Sequence, residues 1–211
     1  MPTTMPPTMP PTMPVNSSSP PRQAIPPVGG IAARYPNVTL VNHRGENLRF
    51  RDAFIDGRAL VVSAIYTRCQ GSCPGTSFTM ERLRETLGPV FGDRLTLLAF
   101  TIDPLVDTPA VLAKYAASFG VERPVAKGQP DWQFLTGTPK SIDELRRGLG
   151  FYDLDPRVDE DKSRHAAMLL FGNSTADRWA TLPSNLRDGL LVETIRRVAG
   201  FTWRQRYGVP A

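Results

Sequence analysis

The chain has 211 residues, 41% of them hydrophobic and 21% charged, enough for one well-packed domain with some tail left over. Its formal charge of +5 comes from scattered arginines interleaved with acids, densest at Arg196, Arg197, Arg204 and Arg206. No basic element interleaved with aromatics forms, which argues against nucleic acid as a partner, and no run of about twenty apolar residues spans a membrane.

Residues 1–33 are expected to form a disordered, Met/Pro-rich tail or linker. They begin MPTTMPPTMPPTMP and bury too little apolar surface to offset the entropy of ordering. Met1, Met5, Met9 and Met13 recur every four residues, and thioethers suit Cu(I), but we read the repeat as low-complexity linker. There is neither a basic n-region nor an apolar h-region of a secretory signal. Membrane association is therefore expected only through a segment outside this sequence.

A folded domain is expected over 34–202, followed by a short tail over 203–211. Val38–Val41 reads as a strand and Arg44–Asn47 as the turn after it. His43, within that turn, reads as a surface residue without a role. Ala59–Tyr66 is a continuous β-rich apolar run, the pattern of a strand buried on both faces. It runs into Thr67-Arg68-Cys69-Gln70-Gly71-Ser72-Cys73-Pro74. Phe78, Leu83 and Leu87 then follow at helical spacing, and Gly88-Pro89 is expected to stop that helix. Leu95–Ile102 is a second central strand. Asp107-Thr108-Pro109 opens a helix with Asp or Thr as N-cap, and Gly120 closes it. Trp132–Leu135 is a short strand, and Ser141-Ile142-Asp143-Glu144 fits a capping box. Ala166–Phe171 is a strand with Gly172-Asn173 as its turn, and Leu186–Val198 is a final amphipathic helix. Strands alternating with helices imply crossover connections and parallel central pairs. The fold class is α/β, a central sheet with helices on both faces, with function at the carboxyl ends of the parallel strands.

The chain's two cysteines sit there, at a strand-to-helix transition. Positions i and i+4 share a helix face, with Cα atoms about 6 Å apart, within disulfide range. The helix N-terminus and Arg68 both favour thiolate. Cys69 and Cys73 can clamp a soft metal or close into a disulfide; an exposed Gly-Ser loop suits neither inert burial nor a purely structural bridge. A metal needs a third ligand, and of two histidines His165 precedes a strand after a polar stretch. Two cysteines and one histidine suit copper, whereas a structural zinc site needs a fourth Cys or His.

These residues resemble the Sco/SenC family of copper chaperones for cytochrome c oxidase assembly. The resemblance rests on Tyr66–Pro74 with its CxxxCP motif, on Thr101-Ile102-Asp103-Pro104-Leu105-Val106-Asp107-Thr108-Pro109, and on His165 entering a strand. It implies a thioredoxin-like fold with a mixed sheet, and copper, Cu(I) or Cu(II), held by Cys69, Cys73 and His165. It further implies a domain in the periplasm, or tethered to the membrane and facing it. The implied partners are the copper-site subunit of the oxidase and other copper chaperones. The function implied is metallation of the dinuclear copper site, by copper transfer or by reduction of target cysteines. A thiol-disulfide oxidoreductase using Cys69 and Cys73 without an obligatory metal is the alternative, so the chain is read as primarily a metallochaperone with its enzymatic status left open. Gln70 departs from the family pattern, where a proline commonly follows the first cysteine. Asp103 and Asp107 match family positions and are expected to serve turn formation and helix capping.

Overall fold

Seven consecutive residues, Ala59–Ile65, form β3, and every one of them is buried. Successive side chains alternate across a sheet, so this strand divides the core in two. Ala59, Val61 and Ile65 face Met80, Leu83, Leu87, Leu191 and Ile195, while Leu60, Val62 and Ala64 face Phe50, Phe54, Ile142 and Leu145. The helices that supply these side chains therefore cover both faces of the sheet. The structure is a computed structural model and describes residues 30–55, 57–121, 125, 127–165 and 167–208. The methionine repeat of the N-terminal tail lies outside these residues.

The remaining strands are β1 (Thr39–Asn42), β2 (Asn47–Arg49), β4 (Leu95–Thr101), β5 (Asp131–Thr136), β6 (Met168–Asn173) and β7 (Arg178–Pro183). The helices are α1 (Phe50–Phe54), α2 (Ser72–Phe91), α3 (Pro109–Ala117), α4 (Pro139–Gly148), α5 (Pro156–Asp159), α6 (Asp188–Ala199) and α7 (Trp203–Tyr207). The sheet order is β2-β1-β5-β4-β3-β6-β7. The central pairs β3–β4 and β4–β5 are parallel, as the alternation of elements requires, and the outer pairs are antiparallel.

Several expected boundaries shift. α2 runs through Pro89 to Phe91 and turns at Gly92, whose φ of 59° suits glycine. The carbonyl of Glu85, which Pro89 cannot bond, belongs to an exposed residue in the last turns, so water can take it. The cap of α4 is Thr138, whose hydroxyl accepts from Ser141 N with Pro139 at N1. This is the same Thr-Pro start seen at Thr108-Pro109, and it replaces the expected capping box at Ser141. Gly172 and Asn173 belong to β6 rather than a turn. A side chain at Gly172 would run into the Trp179 ring and the Arg178 carbonyl on the neighbouring strand, so the glycine serves close approach.

His43 is likewise corrected. It is buried, its Nδ1 accepts from Phe134 N at 3.2 Å, and its ring meets Phe134 edge-on. It extends the β1–β5 ladder beyond the last strand pair. Edge strands β2 and β7, with weak alternation, and helix α7, beyond residue 202, have no counterpart in the sequence reading.

Candidate metal centre

β3 ends at Ile65, and the chain turns so that Cys69 N donates to Tyr66 O at 3.2 Å. α2 begins at Ser72, placing Cys73 in its first turn. Its N-cap, Gly71, has no side chain to satisfy the first amide groups. Those N–H groups and the helix dipole are thus turned toward the sulfurs.

The two cysteines differ. Cys73 is 1% exposed and packs in the core with Ile65 and Met80, whereas Cys69 is half-buried at its edge. Burial, and then the neighbouring Cys69 sulfur, push the Cys73 thiol up to about 12. Burial also opposes ionisation of Cys69. It is outweighed by the hydrogen bonds from the Cys73 thiol, the Cys73 and Gly71 backbone N–H groups and the Tyr66 hydroxyl, which together bring Cys69 below the usual thiol range. The Gly71 N–H lies 3.4 Å from the sulfur. Tyr66 is in turn raised to about 12, first by its bond to Cys69 and then by burial. The pair thus has an outer thiol that ionises more easily than usual and a buried thiol that holds its proton behind it.

Asp107 holds this loop in place. It is fully buried and accepts from Thr67 N (3.1 Å), Thr67 Oγ1 (2.5 Å) and, on β4, Thr101 Oγ1 (2.5 Å). The cap of α3 is instead Thr108, so the expected capping role of Asp107 is corrected: its carboxylate joins the cysteine loop to the adjacent strand. Asp103 does form the expected turn, its carbonyl accepting from Val106 N and Asp107 N. Its carboxylate reaches further, to Lys162 Nζ at 2.7 Å, three residues before His165.

His165 ends a 3₁₀ turn, Lys162–Arg164. Its Nε2 lies 3.0 Å from Ala64 O. The Ile65 carbonyl points to β4, where it accepts from Ile102 N, so that of Ala64 points to the β6 side. The β3–β6 ladder ends at Ser63–Leu169, and the imidazole takes the next carbonyl in line. Burial, and then Arg146, lower its pKa, keeping it neutral. A carbonyl only accepts, so Nε2 carries the hydrogen and Nδ1 the lone pair. The ring borders a cavity of about 320 Å³ lined by Ala64, Ile102, Arg146, Phe151 and Met168, on the face of the sheet opposite Cys73. The segment leading to it is anchored at Asp159, which accepts from Arg146 (2.5 and 2.7 Å), Arg147 Nη2 and Asp153 N. The Arg146 bonds hold its carboxyl well below the usual range.

The structure therefore brings Cys69 and Cys73 together and leaves His165 on Ala64. Among the described residues no three Cys, His, Asp or Glu side chains converge on a metal position. Tyr66, Asp107 and Lys162 carry parts of this site that the sequence reading did not assign. A tyrosine three residues before a reactive cysteine was visible; the reach of Lys162 to Asp103, across 59 positions, was not.

A family model, SCO1/SenC, matches residues 32–200. A curated SCO1 protein homolog of Bacillus subtilis (strain 168) is 28% identical over 103 residues, 49% of this chain and 49% of that protein. The chain thus spans about half the length of that relative. Among solved structures it is similar to a SCO1/SenC family lipoprotein from Bacillus anthracis str. Ames, with a TM-score of 0.61 and 17% identity over 78% of this chain and 94% of that one. ScoI of Bradyrhizobium japonicum with copper bound gives 0.56 and 19%, over 76% and 96%. BsSco, a protein with a disulfide switch in the Sco family of cytochrome c oxidase assembly proteins, gives 0.60 and 20%, over 80% and 95%. These likenesses establish the thioredoxin-like fold. With the model match covering most of its length, the chain belongs to the SCO1/SenC family.

Proposed function

We propose that the protein is a copper-binding assembly factor that carries copper as cargo on Cys69 and Cys73 and closes the site with His165. The observation that carries this reading is the sulfur pair at the mouth of α2, with hydrogen-bond donors gathered on Cys69 and the Cys73 sulfur adjacent to it. Soft thiolates select Cu(I), and a neutral imidazole is a competent third ligand. The copper bound to Bradyrhizobium ScoI supports the cargo. The family of BsSco supports a part in cytochrome c oxidase assembly; within it, the proposed recipient is the copper-site subunit, with other copper chaperones upstream. The lipoprotein relative supports work at a membrane surface; the periplasmic side of that membrane is part of the proposal.

In this reading Cys73 loses its proton on binding, since ligation compensates the charge that burial opposes. His165 gives up its bond to Ala64 O, and the turn Lys162–Arg164 moves with it. The net cost of the Ala64 bond is about 1 kcal/mol, small against a metal–ligand bond.

A second reading rests on the separation of His165 from the sulfurs. The Cys69 thiolate attacks a partner disulfide, forming a mixed disulfide and releasing a partner thiolate. Cys73, deprotonated as it reacts, then attacks Cys69 Sγ, closing Cys69–Cys73 and releasing the second partner sulfur. Two electrons pass to the partner, and no metal is required. His165→Ala separates the two. The chaperone reading expects Cu(I) affinity, measured anaerobically against a competing chelator, to fall by about tenfold or more, with disulfide reduction unchanged. Unchanged copper affinity would leave the reductant reading in its place.

A further inference from the structure

The far end of α2, away from the cysteine loop, carries a second patch, on α6 and α7. The fold of α7 is set by a capping box in which Thr202 Oγ1 accepts from Gln205 N and Gln205 Oε1 accepts from Thr202 N. Gln205 Nε2 also donates to Val90 O, docking α7 on the last turn of α2. Held this way, α7 turns its two large aromatic side chains outward. Trp203 is 61% and Tyr207 59% exposed, and the rings, at i and i+4, lie 5.4 Å apart.

Cations surround this pair. Arg204 is exposed beside it, and Arg94, also exposed, lies 4.2 Å over the Phe201 ring. Arg196 and Arg206 donate to backbone carbonyls of Gln205, Gly200 and Phe201. Arg197 is paired with Glu193. Among the described residues, Arg94, Arg196, Arg204 and Arg206 have no carboxylate within salt-bridge distance. The charge is therefore not cancelled locally.

The position of the patch gives it meaning. Asn173, at the end of β6, donates to Ala199 O, and Arg178 donates to Gly200 O. Next to Arg178, Asp177 accepts from Ile31 N and Ala32 N. Ile31 and Ala32, the first described residues after Gly30, thus lie at the same end of the domain as α7. α2 runs from the cysteine loop to this end, a length of about 30 Å. Indole and phenol rings with nearby arginines suit the headgroup layer of an anionic bilayer, where the rings enter and the cations meet lipid phosphates. The patch is a projecting ring pair rather than a groove, which suits a fluid surface better than a shaped protein partner.

We propose that the α7 end of the domain rests on an anionic membrane surface, with Trp203 and Tyr207 in the headgroup layer and Arg94 and Arg204 on lipid phosphates. The Cys69–Cys73 loop is then presented about one α2 length away from the bilayer. This inference does not depend on the copper reading.

The test is co-sedimentation of the full chain with vesicles of phosphatidylcholine containing about one-third phosphatidylglycerol, compared with phosphatidylcholine alone. The wild type is expected to partition onto the anionic vesicles, less so as salt rises. The double variant Trp203→Ala/Tyr207→Ala and the single variant Arg204→Glu are each expected to bind about tenfold less. These side chains are exposed, and unchanged circular dichroism establishes that the variants fold. Wild-type protein that stays in the supernatant, or variants that bind as well as wild type, would overturn the proposal. So would variants that weaken a complex with a protein while the wild type ignores vesicles, since the patch would then be a protein contact.

Discussion

Replacing Cys73 with serine is expected to weaken Cu(I) binding on the order of a thousandfold, about 4 kcal/mol, because one of two soft ligands becomes a hard hydroxyl. The substitution separates two properties of the pair. Serine keeps a hydroxyl donor near Cys69, and the Gly71 and Cys73 backbone N–H groups and the Tyr66 hydroxyl are untouched. Cys69 should therefore keep its lowered pKa and alkylate faster than an ordinary thiol. It can no longer close a disulfide, so mixed disulfides formed on it should persist and be seen by mass spectrometry. Cys69→Ser is expected to lose copper equally but to leave only the buried, high-pKa Cys73, which alkylates slowly. Equal alkylation rates in the two variants would contradict the assignment of Cys69 as the outer thiolate.

The second large effect is expected at Asp107. Asp107→Ala should destabilise the domain by about 3 kcal/mol, leaving the Thr67 N–H and the Thr101 hydroxyl without their acceptor. Asp107→Asn should cost about half as much, since its side-chain oxygen still accepts from Thr67 N. For a urea slope of about 2 kcal/mol/M, the alanine variant's midpoint should fall by roughly 1.5 M. A midpoint within a few tenths of wild type would show that the loop does not depend on this carboxylate. Because Thr67 stands two residues before Cys69, slower alkylation control at Cys69 should accompany the loss: the sulfur's donors are set by the same loop.

The central elements were readable from sequence where burial dominates. Ala59–Ile65 announced itself as a doubly buried strand, and Asp107-Thr108-Pro109 as a helix start, because each pattern has few alternative solutions. The edge strands that were not read have little buried surface to betray them: β2 is largely exposed, and β7 shows no clean alternation. The short helix α1 was missed although Phe50 and Phe54 are buried, because five residues give too little periodicity to mark a helix. α4 was started three residues late because Ser141 and Glu144 have capping-box spacing, while Thr138-Pro139 had the stronger signal. At the site, the cysteines could be picked from residue type and spacing alone. The buried role of Asp107, the Asp103–Lys162 link and the resting place of His165 depend on contacts across 40, 59 and 101 positions. Local sequence carries no trace of such distances. His43 was misread for the same reason: its partner, Phe134, is 91 positions away.

The position of His165 also gives the two chemical readings a common frame. With the imidazole on Ala64 O, the sulfurs are open to a partner disulfide; with it moved to the sulfurs, they are closed around copper. The Asp159 anchor and the Lys162–Asp103 pair both precede His165 in the chain, so the rearrangement either releases Lys162 from Asp103 or is confined to the residues after Lys162.

X-ray absorption at the copper edge of the Cu(I)-loaded full chain tests the central claim most directly. Two sulfur neighbours and one nitrogen neighbour are predicted for the wild type, with the nitrogen lost in His165→Ala and one sulfur lost in Cys73→Ser. A spectrum unchanged by Cys73→Ser would contradict the account, because the copper would then lie elsewhere on the chain.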